Sequence, residues 1–465
     1  IGSTVKLFQG ASIIVFPEYG ILGFDHSRDS IVPFLEDVPD VSDEWTPCDN
    51  PDRFKNISVL QHLSCSAKQS NIYIVANIGD IKKCDIIQDL DCPIDGRYQF
   101  NTNVVFNNEG MLVARYHKKN LYDESEIFDP SPTVEYSFIE TPFGTFGTVI
   151  CFDLLHYYPT QDLILSYGVK NLLVTSAWNV FYPFVFPIQM YAGLAKRNNI
   201  NVIASNIRHT EYEMASSGIF GPGVEMSTDT DFTRTYGHLL VTEIETVLKS
   251  TKNINSLKAL PSIDLIRSMT NTTYTGIYPH FGMNMSFVEL SEEGFVSVCS
   301  EGNICCALEY EFSRKDETET AVLSVVDFKI EYPGRVHMQY CAVHLCPLTD
   351  LGRCGEPAFN STSVISRLKL QGYFSGVTNA MFPFVSSTPF RNHTYYSERE
   401  NYRFDDSQAI LTGGPFKYQL FNAVIFNSVP ESYVEFAPVS GSISTIFISS
   451  VTVLLFLCTV SLFTC

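Results

Sequence analysis

Basic residues are scarce in this chain of 465 residues, which carries 31 lysines and arginines against 51 aspartates and glutamates. The formal net charge of −20 repels the phosphate backbone of nucleic acids, and no run of lysine or arginine offsets it. Cysteine pairs with zinc-finger or zinc-ribbon spacing are also absent. The sequence therefore predicts neither a nucleic-acid partner nor a structural zinc site, and it favours small molecules or proteins as partners.

Further absences concern catalytic motifs. The chain contains no HExxH zinc motif, no Walker phosphate-binding loop and no GxSxG nucleophile elbow. It does contain 13 cysteines, more than a reduced cytosolic enzyme usually has, which indicates disulfides formed in an oxidising compartment. Because the count is odd, at least one thiol stays unpaired within the chain.

Charge is missing from the last twenty residues, 446–465, which are about long enough to cross a bilayer. Nothing polar follows them, whereas a spanning helix usually has Lys or Arg on its cytoplasmic side. We therefore expect residues 431–465 to be a signal for a glycosylphosphatidylinositol (GPI) anchor, attached within 440–442 or upstream near Asn427 and Ser428. A single spanning helix and a buried core helix are the alternatives.

The first residues show no initiator Met, no basic n-region and no apolar h-region, so we expect an N-terminally truncated or processed form. The cysteines and the tail together predict the extracellular face of the plasma membrane, or secretion as the alternative. Oligomeric state stays open. The candidate N-glycosylation sites are five Asn-x-Ser/Thr sequons, at Asn56, Asn271, Asn284, Asn360 and Asn392.

Strand-like and helix-like segments alternate over the first half of the chain. Amphipathic segments near 160–168 and 186–199 lie between short apolar runs, and 102–116 reads as a β-hairpin. This α/β pattern predicts a mixed sheet with helices on its faces, in a catalytic domain over 1–250. The predicted strands are 12–16, 72–77, 148–151, 171–175 and 202–205.

The second half has a different composition. Residues 226–270 are polar and are expected to be a connection. Beyond them, short β-branched and aromatic runs with six cysteines predict a smaller, mostly β, disulfide-rich domain over 270–430. Six cysteines allow fifteen pairings, so the disulfide connectivity stays open.

Three reactive side chains each follow an apolar strand. Glu18 follows the strand in IIVFPEYG, Lys118 and Lys119 follow the return strand of the hairpin in RYHKKNLYDE, and Cys151 follows the strand in FGTFGTVICFD. A carboxylate beside an apolar strand end suits a general base, a lysine can stabilise an oxyanion, and a cysteine beside a cation gains nucleophilicity. Taken singly, each residue also fits an ordinary structural role.

Together, the three segments resemble the Glu-Lys-Cys signatures of the nitrilase superfamily of carbon–nitrogen hydrolases. FPEYGILGF, DGRYQFNTNVVF, LVARYHKKNLY and SAW at 176–178 are most similar to its vanin and biotinidase branch. VCSEGNICCALEYEF and YCAVHLC resemble the accessory domain of that branch. The resemblance implies an αββα sandwich followed by a smaller β domain.

The resemblance also implies residue roles. Cys151 would be the nucleophile, Glu18 the proton acceptor, and Lys118 the proton donor and oxyanion stabiliser, with Lys119 as the rival for that last role. Glu124 would support Lys118 or the attacking water; its alternative is an exposed acid. Trp178 would line the acyl pocket or pack beneath it.

The implied activity is hydrolysis of a small amide through a cysteine thioester, without metal or organic cofactor. Pantetheine is the expected substrate and a biotinyl amide the alternative; a surface-anchored protein without turnover is the competing interpretation. Removing Cys151 and the two tail cysteines from the count leaves four cysteines in the first domain and six in the second. We therefore expect complete disulfide pairing within each domain.

Overall fold

The structure is a computed structural model of the full chain. It describes residues 10–180, 187–222, 224–231, 236–246, 258–269, 274–278, 283–301, 304–330, 336–346, 354, 362–375, 380–388, 396–397, 401–416, 419–429 and 450–457. Strands and α-helices are numbered below in chain order.

Two mixed sheets form the first half of the molecule. The first, in spatial order, contains β12 (His238–Glu245), β25 (Ser450–Leu457), β1 (Ile13–Val15), β3 (Tyr73–Lys83), β4 (Arg97–Phe106) and β5 (Leu112–His117), with β2 (Leu35–Glu36) beside β3. The second contains β11 (Val224–Asp229), β10 (Ser217–Gly221), β9 (Asn201–Asn206), β8 (Asn171–Ser176), β7 (Gly144–Ile150) and β6 (Phe138–Thr141).

Parallel pairing sets the direction of the central strands. In the first sheet β1 runs parallel to β3, and in the second β7, β8 and β9 run parallel to one another. The two sheets pack face to face over a buried apolar core to which Val15, Val75 and Leu173 contribute. Parallel neighbours end at the same edge of a sheet, which brings the residues after β7 and β8 together. Packing of the two sheets places the residues after β1 next to them.

Helices cover the outer faces of this sandwich. Helix α1 (Ser58–Ser70) packs on β3 and β4, burying Leu60 and Leu63, and α3 (Pro187–Asn198) packs on β9 and β10. Helix α2 (Asp162–Leu165) is short. Single helical turns occur at Val32–Phe34, Val41–Asp43, Pro51–Arg53, Cys151–Leu155 and Tyr157–Gln161. The expected sandwich of two sheets between helices is confirmed, as are the five predicted strands and the hairpin.

The second half is a β domain of two sheets with α4 (Ile263–Ser268) against one of them. Its first sheet contains β13 (Tyr274–Tyr278), β14 (Met283–Glu289), β17 (Thr320–Ile330), β18 (Val336–Cys346), β24 (Gln419–Val429), β20 (Ala380–Thr388) and β21 (Tyr396–Ser397). Its second contains β15 (Glu293–Cys299), β16 (Cys305–Arg314), β19 (Val364–Tyr373), β23 (Ile410–Gly413) and β22 (Tyr402–Asp405). This confirms the expected mostly β domain.

The prediction that residues 226–270 form only a connection is partly wrong. Strands β11 and β12 extend the two catalytic sheets, and α4 packs on β15 and β16. Strand β12 was missed because the segment as a whole is polar in composition; its residues Leu240 and Ile244 point into the core.

Helix α3 joins the two halves. Gln189 Nε2 donates to Asn422 Oδ1 at 3.0 Å and also to Ser386 Oγ, and both acceptors belong to the β domain. At Gly193 the helix approaches the β domain so closely that a Cβ atom there would lie 2.7 Å from the Pro383 carbonyl oxygen. One apolar cluster runs from the outer face of the second catalytic sheet into the β domain.

Five disulfides are present among the described residues. Two lie in the catalytic domain and three in the β domain, and Cys151 is free and buried. This confirms the expected pairing within each domain and the unpaired thiol. The pairs are Cys48–Cys65, Cys84–Cys92, Cys299–Cys305, Cys306–Cys341 and Cys346–Cys354.

The C-terminal tail lies mostly outside the described residues, and so do the proposed anchor sites at 440–442. Within the tail, β25 pairs in parallel with β1 and antiparallel with β12. The two alternatives that predicted a helix in the tail are therefore wrong for these eight residues. Among the described residues, no helix has the length and apolar character needed to span a bilayer. Asn427 and Ser428 are buried in β24 between β18 and β20, which makes an anchor there incompatible with the sheet.

Candidate active site

Four titratable side chains meet at one edge of the sandwich. Glu18 lies just beyond β1, Lys118 directly follows β5, Cys151 directly follows β7, and Glu124 comes from the loop after β5. All four are buried, with exposed fractions of 1, 1, 6 and 7 % respectively. The strand ends thus bring together residues that are more than a hundred positions apart in sequence.

Lys118 bridges two carboxylates. Its ammonium group donates to Glu18 Oε1 at 2.8 Å and to Glu124 Oε1. The second oxygen of Glu124 accepts the backbone N–H of Tyr122 at 3.0 Å, which fixes the carboxylate within its own loop. Buried charges are stable only when paired and hydrogen-bonded, and this arrangement provides both for Lys118.

Glu18 is held on both carboxylate oxygens. Oε1 also accepts from Asn101 Nδ2 at 2.7 Å, and Oε2 accepts from the backbone N–H of Ala177 at 2.8 Å. Asn101 is oriented in turn by Asn77 Nδ2, which donates to its side-chain oxygen at 2.6 Å. The carboxylate therefore has a single fixed orientation at the end of β1.

The two consecutive lysines point to different places. Lys118 enters the buried cluster, whereas Lys119 Nζ donates to the carbonyl oxygen of Ser131 at 2.7 Å, away from Glu18. Glu124 is buried, which rules out the alternative interpretation of this residue as an exposed acid. The geometry thus separates Lys118 from its rival.

A tight turn presents Cys151. Its φ of 44° is in the left-handed region, which a non-glycine residue occupies at a cost of about 1–3 kcal/mol. Asp153 stabilises the turn: it accepts the Ile150 backbone N–H at 3.2 Å and the Asn120 backbone N–H at 2.9 Å. Tyr116 also donates its hydroxyl proton to Asp153 at 2.7 Å. This network ties the end of β5 to the end of β7.

Burial and neighbouring charges set the proton affinities of the site. Burial raises the pKa of Glu18, Lys118 opposes this increase, and Glu124 adds to it. Burial alone would lower the pKa of Lys118, but Glu124 and Glu18 raise it well above its usual range. Burial and the Glu18 charge raise the pKa of the Cys151 thiol, which Lys118 and the Ala177 N–H partly oppose. Cys151 is therefore a thiol at rest, beside a carboxylate with increased basicity.

A cavity of about 420 Å³ opens onto this cluster, within the range of small-molecule sites. Glu18, Lys118, Glu124 and Cys151 form its reactive part. Its other lining side chains are mainly aromatic or apolar with a few polar groups, including Tyr19, Phe24, Asp25, His26, Ile31, Tyr122, Asp123, Asn179, Tyr212 and Met214.

Trp178 does not line this cavity. It packs in the apolar cluster shared by the second sheet, α3 and the β domain, while its neighbour Ala177 faces the cavity. Its backbone N–H donates to Asn206 Oδ1 at 2.7 Å, which turns the chain after β8. Of the two interpretations of Trp178, the structure supports packing beneath the site, because successive residues after a strand face opposite sides.

Sequence reasoning missed the groups that hold the reactive residues in place. Asn101 and Asn77 lie inside strands, where an asparagine carries no distinctive pattern. Asp153 was visible in the CFD signature but had no assigned role, and the Ala177 N–H is a backbone group that no sequence motif reveals. Burial of polar residues inside apolar strands was the available signal for the two asparagines.

The other predicted sites are dispersed. Among the sequons, Asn56 and Asn284 are exposed, whereas Asn271, Asn360 and Asn392 lie outside the described residues.

Within the part of the chain that the structure describes, His344, Cys346 and Cys354 form the one cluster with metal-ligand spacing. The two sulfurs bond to each other, so they are not available as thiolate ligands.

Comparison with known proteins agrees with this geometry. The carbon–nitrogen hydrolase family pattern matches residues 3–206, and the vanin C-terminal domain pattern matches residues 278–427. Pantetheinase from Bos taurus is 37 % identical over 377 residues, which cover 81 % of this chain and 73 % of the relative. The chain belongs to the vanin and biotinidase branch of the carbon–nitrogen hydrolases.

Two further relatives from that branch are similar to this chain. Pantetheinase from Homo sapiens is 36 % identical over 378 residues, covering 81 % of this chain and 72 % of the relative. Biotinidase from Takifugu rubripes is 35 % identical over 406 residues, covering 82 % of this chain and 78 % of the relative. This vanin-branch chain is therefore an amide hydrolase with a catalytic αββα domain and a disulfide-bonded β domain.

Proposed function

We propose that this protein hydrolyses pantetheine to pantothenate and cysteamine, with Glu18, Lys118 and Cys151 as its catalytic residues. The observation that carries the proposal is the buried Glu18–Lys118–Glu124 cluster beside the free thiol of Cys151, at the base of a small-molecule cavity. The similarity to pantetheinases supports the choice of substrate.

The first half-reaction forms a thioester. Glu18 accepts the proton of the Cys151 thiol, and the sulfur attacks the amide carbonyl carbon. The Lys118 ammonium group stabilises the oxyanion that develops on the carbonyl oxygen. The tetrahedral intermediate collapses, the carbon–nitrogen bond breaks, and the amine leaves with the proton that Glu18 had accepted.

The second half-reaction restores the thiol. Glu18 removes a proton from water, which attacks the thioester carbonyl, and Lys118 again stabilises the oxyanion. The carbon–sulfur bond breaks, the carboxylic acid leaves, and the Cys151 sulfur regains the proton. Glu124 keeps Lys118 charged throughout, because its carboxylate raises the pKa of that ammonium group.

Hydrolysis of a biotinyl amide is the second candidate, since biotinidases are nearly as similar to this chain as pantetheinases are. The two acyl groups differ in shape and polarity, so the apolar and aromatic cavity walls decide between them. A protein without turnover is the third interpretation. The paired lysine, the oriented glutamate and the free thiol all argue against it.

One assay distinguishes these functions. The purified full chain is incubated with a fluorogenic pantothenate amide and with a fluorogenic biotin amide, in parallel with Cys151→Ala. We expect turnover of the pantothenate amide by the wild type and none by the variant. Preference for the biotin amide would replace the substrate assignment, while turnover that survives in the variant would contradict the role of Cys151. Lack of any wild-type turnover would support the silent protein.

We further propose that a GPI lipid anchor replaces the uncharged tail at the cell surface, attached within residues 440–442. Processing there would also remove β25, which pairs with β1 and β12 in the uncleaved chain. Phosphatidylinositol-specific phospholipase should release the protein from cells, and mass spectrometry should find its C-terminus in 440–442. A cell-associated protein that retains residues 450–457 would contradict the anchor.

A further inference from the structure

A second buried ionic cluster lies next to the catalytic one. His117, the last residue of β5, is 4 % exposed and immediately precedes Lys118. Its Nε2 atom lies 2.8 Å from Asp80 Oδ2, and its Nδ1 atom lies 2.9 Å from Glu135 Oε1. Both ring nitrogens therefore face carboxylate oxygens, and the mechanism above uses none of these three residues.

Between two carboxylate anions, this geometry suits a protonated ring. A neutral imidazole has one N–H group, so one of the two nitrogens would direct a lone pair at a carboxylate. An imidazolium ring donates to both. Burial lowers the pKa of His117, but the hydrogen bonds and charges of Asp80 and Glu135 outweigh burial and leave that pKa above its ordinary value.

The surroundings of the ring balance its charge. Asp80, on β3, also accepts the Val38 backbone N–H at 3.0 Å and lies 3.1 Å from Lys82 Nζ. Glu135 lies within the electrostatic reach of Lys119. The ring of Phe100, on β4, packs at 4.3 Å from the imidazole and shields it from water. Two carboxylates therefore contact the imidazolium, and each carboxylate also interacts with a lysine.

The same contacts reach the backbone of Lys118. Glu135 accepts the His117 backbone N–H at 3.1 Å and the Ser131 hydroxyl at 3.1 Å. Ser131 in turn donates its backbone N–H to the Lys118 carbonyl oxygen at 3.2 Å. On the other side, the Lys118 N–H donates to the Asn101 carbonyl oxygen at 2.9 Å. Through Ser131, the carboxylate that binds the His117 ring also holds the main chain from which the Lys118 side chain extends.

We propose that His117 is a positioning residue, which fixes the end of β5 and hence Lys118 only while its ring is protonated. The inference rests on the proposed role of Lys118. Deprotonation turns one of the two hydrogen bonds into a repulsion between lone pairs, and the strand end then relaxes. Because the protonated form is the competent one, turnover is present below the pKa of His117 and is lost as the pH rises through it.

Glu135→Gln gives the sharpest test, because this change removes one carboxylate and leaves the catalytic residues intact. Loss of an adjacent opposite charge lowers the pKa of the histidine. In kcat–pH profiles with the pantothenate amide, we expect the alkaline limb to move to lower pH by about one unit. Glu140→Gln is the matched control: Glu140 is an exposed acid on β6, and its profile should coincide with that of the wild type.

Substitutions of His117 itself test whether charge or shape matters. His117→Gln should lower kcat about tenfold or more at pH values below the pKa of His117, with little change in KM, because misplacing a catalytic group affects turnover strongly. Above that pKa the wild type loses the same positioning, so the difference between the two proteins should shrink. His117→Arg keeps a positive charge, so it should recover most of kcat and move the alkaline limb to higher pH.

A second readout is independent of the substrate. The rate at which iodoacetamide alkylates Cys151, measured at one pH by peptide mass spectrometry, depends on the Lys118 charge that lowers the pKa of the thiol. We expect slower alkylation in His117→Gln than in the wild type. If the wild type hydrolyses neither amide, the proposed function fails while this comparison still tests the positioning role.

Two outcomes would overturn the inference. The first is a Glu135→Gln profile with an alkaline limb identical to those of the wild type and Glu140→Gln. The second is a His117→Gln protein that is thermally less stable yet has unchanged kcat and unchanged Cys151 alkylation. Either result would make His117 a structural residue only.

Discussion

The two halves of the molecule are stabilised in different ways. The catalytic half buries ionised groups at one edge of its sandwich, where Lys118 contacts both Glu18 and Glu124 directly. The β domain encloses an apolar core between its sheets, with the Cys306–Cys341 disulfide inside it. Buried charges contribute little net stability, whereas apolar burial and covalent closure contribute much. The comparison indicates that the first half uses part of its stability to hold reactive groups in place.

The largest expected effect comes from removing the charge at the centre of the catalytic cluster. Lys118→Met leaves two carboxylates buried without their cation, which should lower the free energy of unfolding by about 3–5 kcal/mol. Loss of the proposed oxyanion donor should also lower kcat about a thousandfold. Thermal unfolding and amide turnover measure the two effects on the same protein.

Lys119→Met is the matched control for that change. Its ammonium group is bonded to backbone carbonyl oxygens of the loop and not to the catalytic carboxylates. We expect its kcat to stay within about threefold of the wild type, because a threefold change corresponds to less free energy than one typical hydrogen bond contributes. Equal losses in both variants would remove the distinction between the two lysines.

The second prediction concerns the other half. Replacing Cys306 and Cys341 by alanine opens a covalent loop with a sequence separation of 35 residues, so the free energy of unfolding should fall by about 4 kcal/mol. The kcat of the folded protein should be unchanged, because the disulfide belongs to the β-domain core. Chemical denaturation and turnover at low temperature provide the measurements.

Opening the Cys84–Cys92 disulfide offers a comparison within the same chain. Its sequence separation is 8 residues, so the expected loss is smaller, about 2–3 kcal/mol. A drop in kcat after opening Cys306–Cys341, without loss of folded protein, would show that the two halves are coupled more closely than the comparison assumes.

Sequence alone predicted the strand ends better than the contacts between them. An apolar run that stops at Glu18, Lys118 or Cys151 is visible in one dimension. Face-to-face packing of the two sheets then brings the ends of β1 and β7 to one edge of the sandwich. The resemblance named Glu124 as a support for Lys118 or for the attacking water, but which of the two it contacts depended on how the loop after β5 folds back. Loop conformation follows from tertiary packing, which local propensity does not encode.

Trp178 and β12 are two further features that the sequence pattern did not predict, because both depend on tertiary contacts. The segment SAW contributed to the family resemblance, but the side-chain direction of Trp178 depends on contacts such as the one between its backbone N–H and Asn206. In β12, the exposed residues Val241, Glu243 and Glu245 alternate with the more buried positions 240, 242 and 244. The polar average composition of 226–270 concealed this strand. Composition describes an average, whereas a half-buried strand is defined by its alternation.

The third prediction tests the contact between the halves. In Gly193→Ala, the new methyl group would meet the Pro383 carbonyl oxygen at 2.7 Å and the Phe384 ring at 2.9 Å. Backbone and a buried ring cannot both move away freely, so we expect a loss of about 1–3 kcal/mol in the free energy of unfolding. An exposed helical position, Lys68→Ala on α1, serves as the control for a stability change unrelated to this interface.

Differential scanning calorimetry measures that loss. If the two halves unfold as one cooperative unit, the single transition of Gly193→Ala moves to lower temperature. If they are independent, the variant should instead show two separated transitions. An unchanged transition would contradict the close approach of α3 to the β domain.

The smallest expected effect is a displacement of the pH profile. Glu124 raises the pKa of Glu18 through its negative charge, while Lys118 opposes that increase. Glu124→Gln removes the charge and leaves Lys118 to interact with Glu18 alone, so both changes lower the pKa of the base. Because Glu18 must be ionised to accept the thiol proton, activity is lost as the pH falls through its pKa. The acid limb of kcat/KM should therefore move to lower pH in the variant. An acid limb that stays in place, or moves to higher pH, would show that Glu124 does not act on Glu18 through its charge.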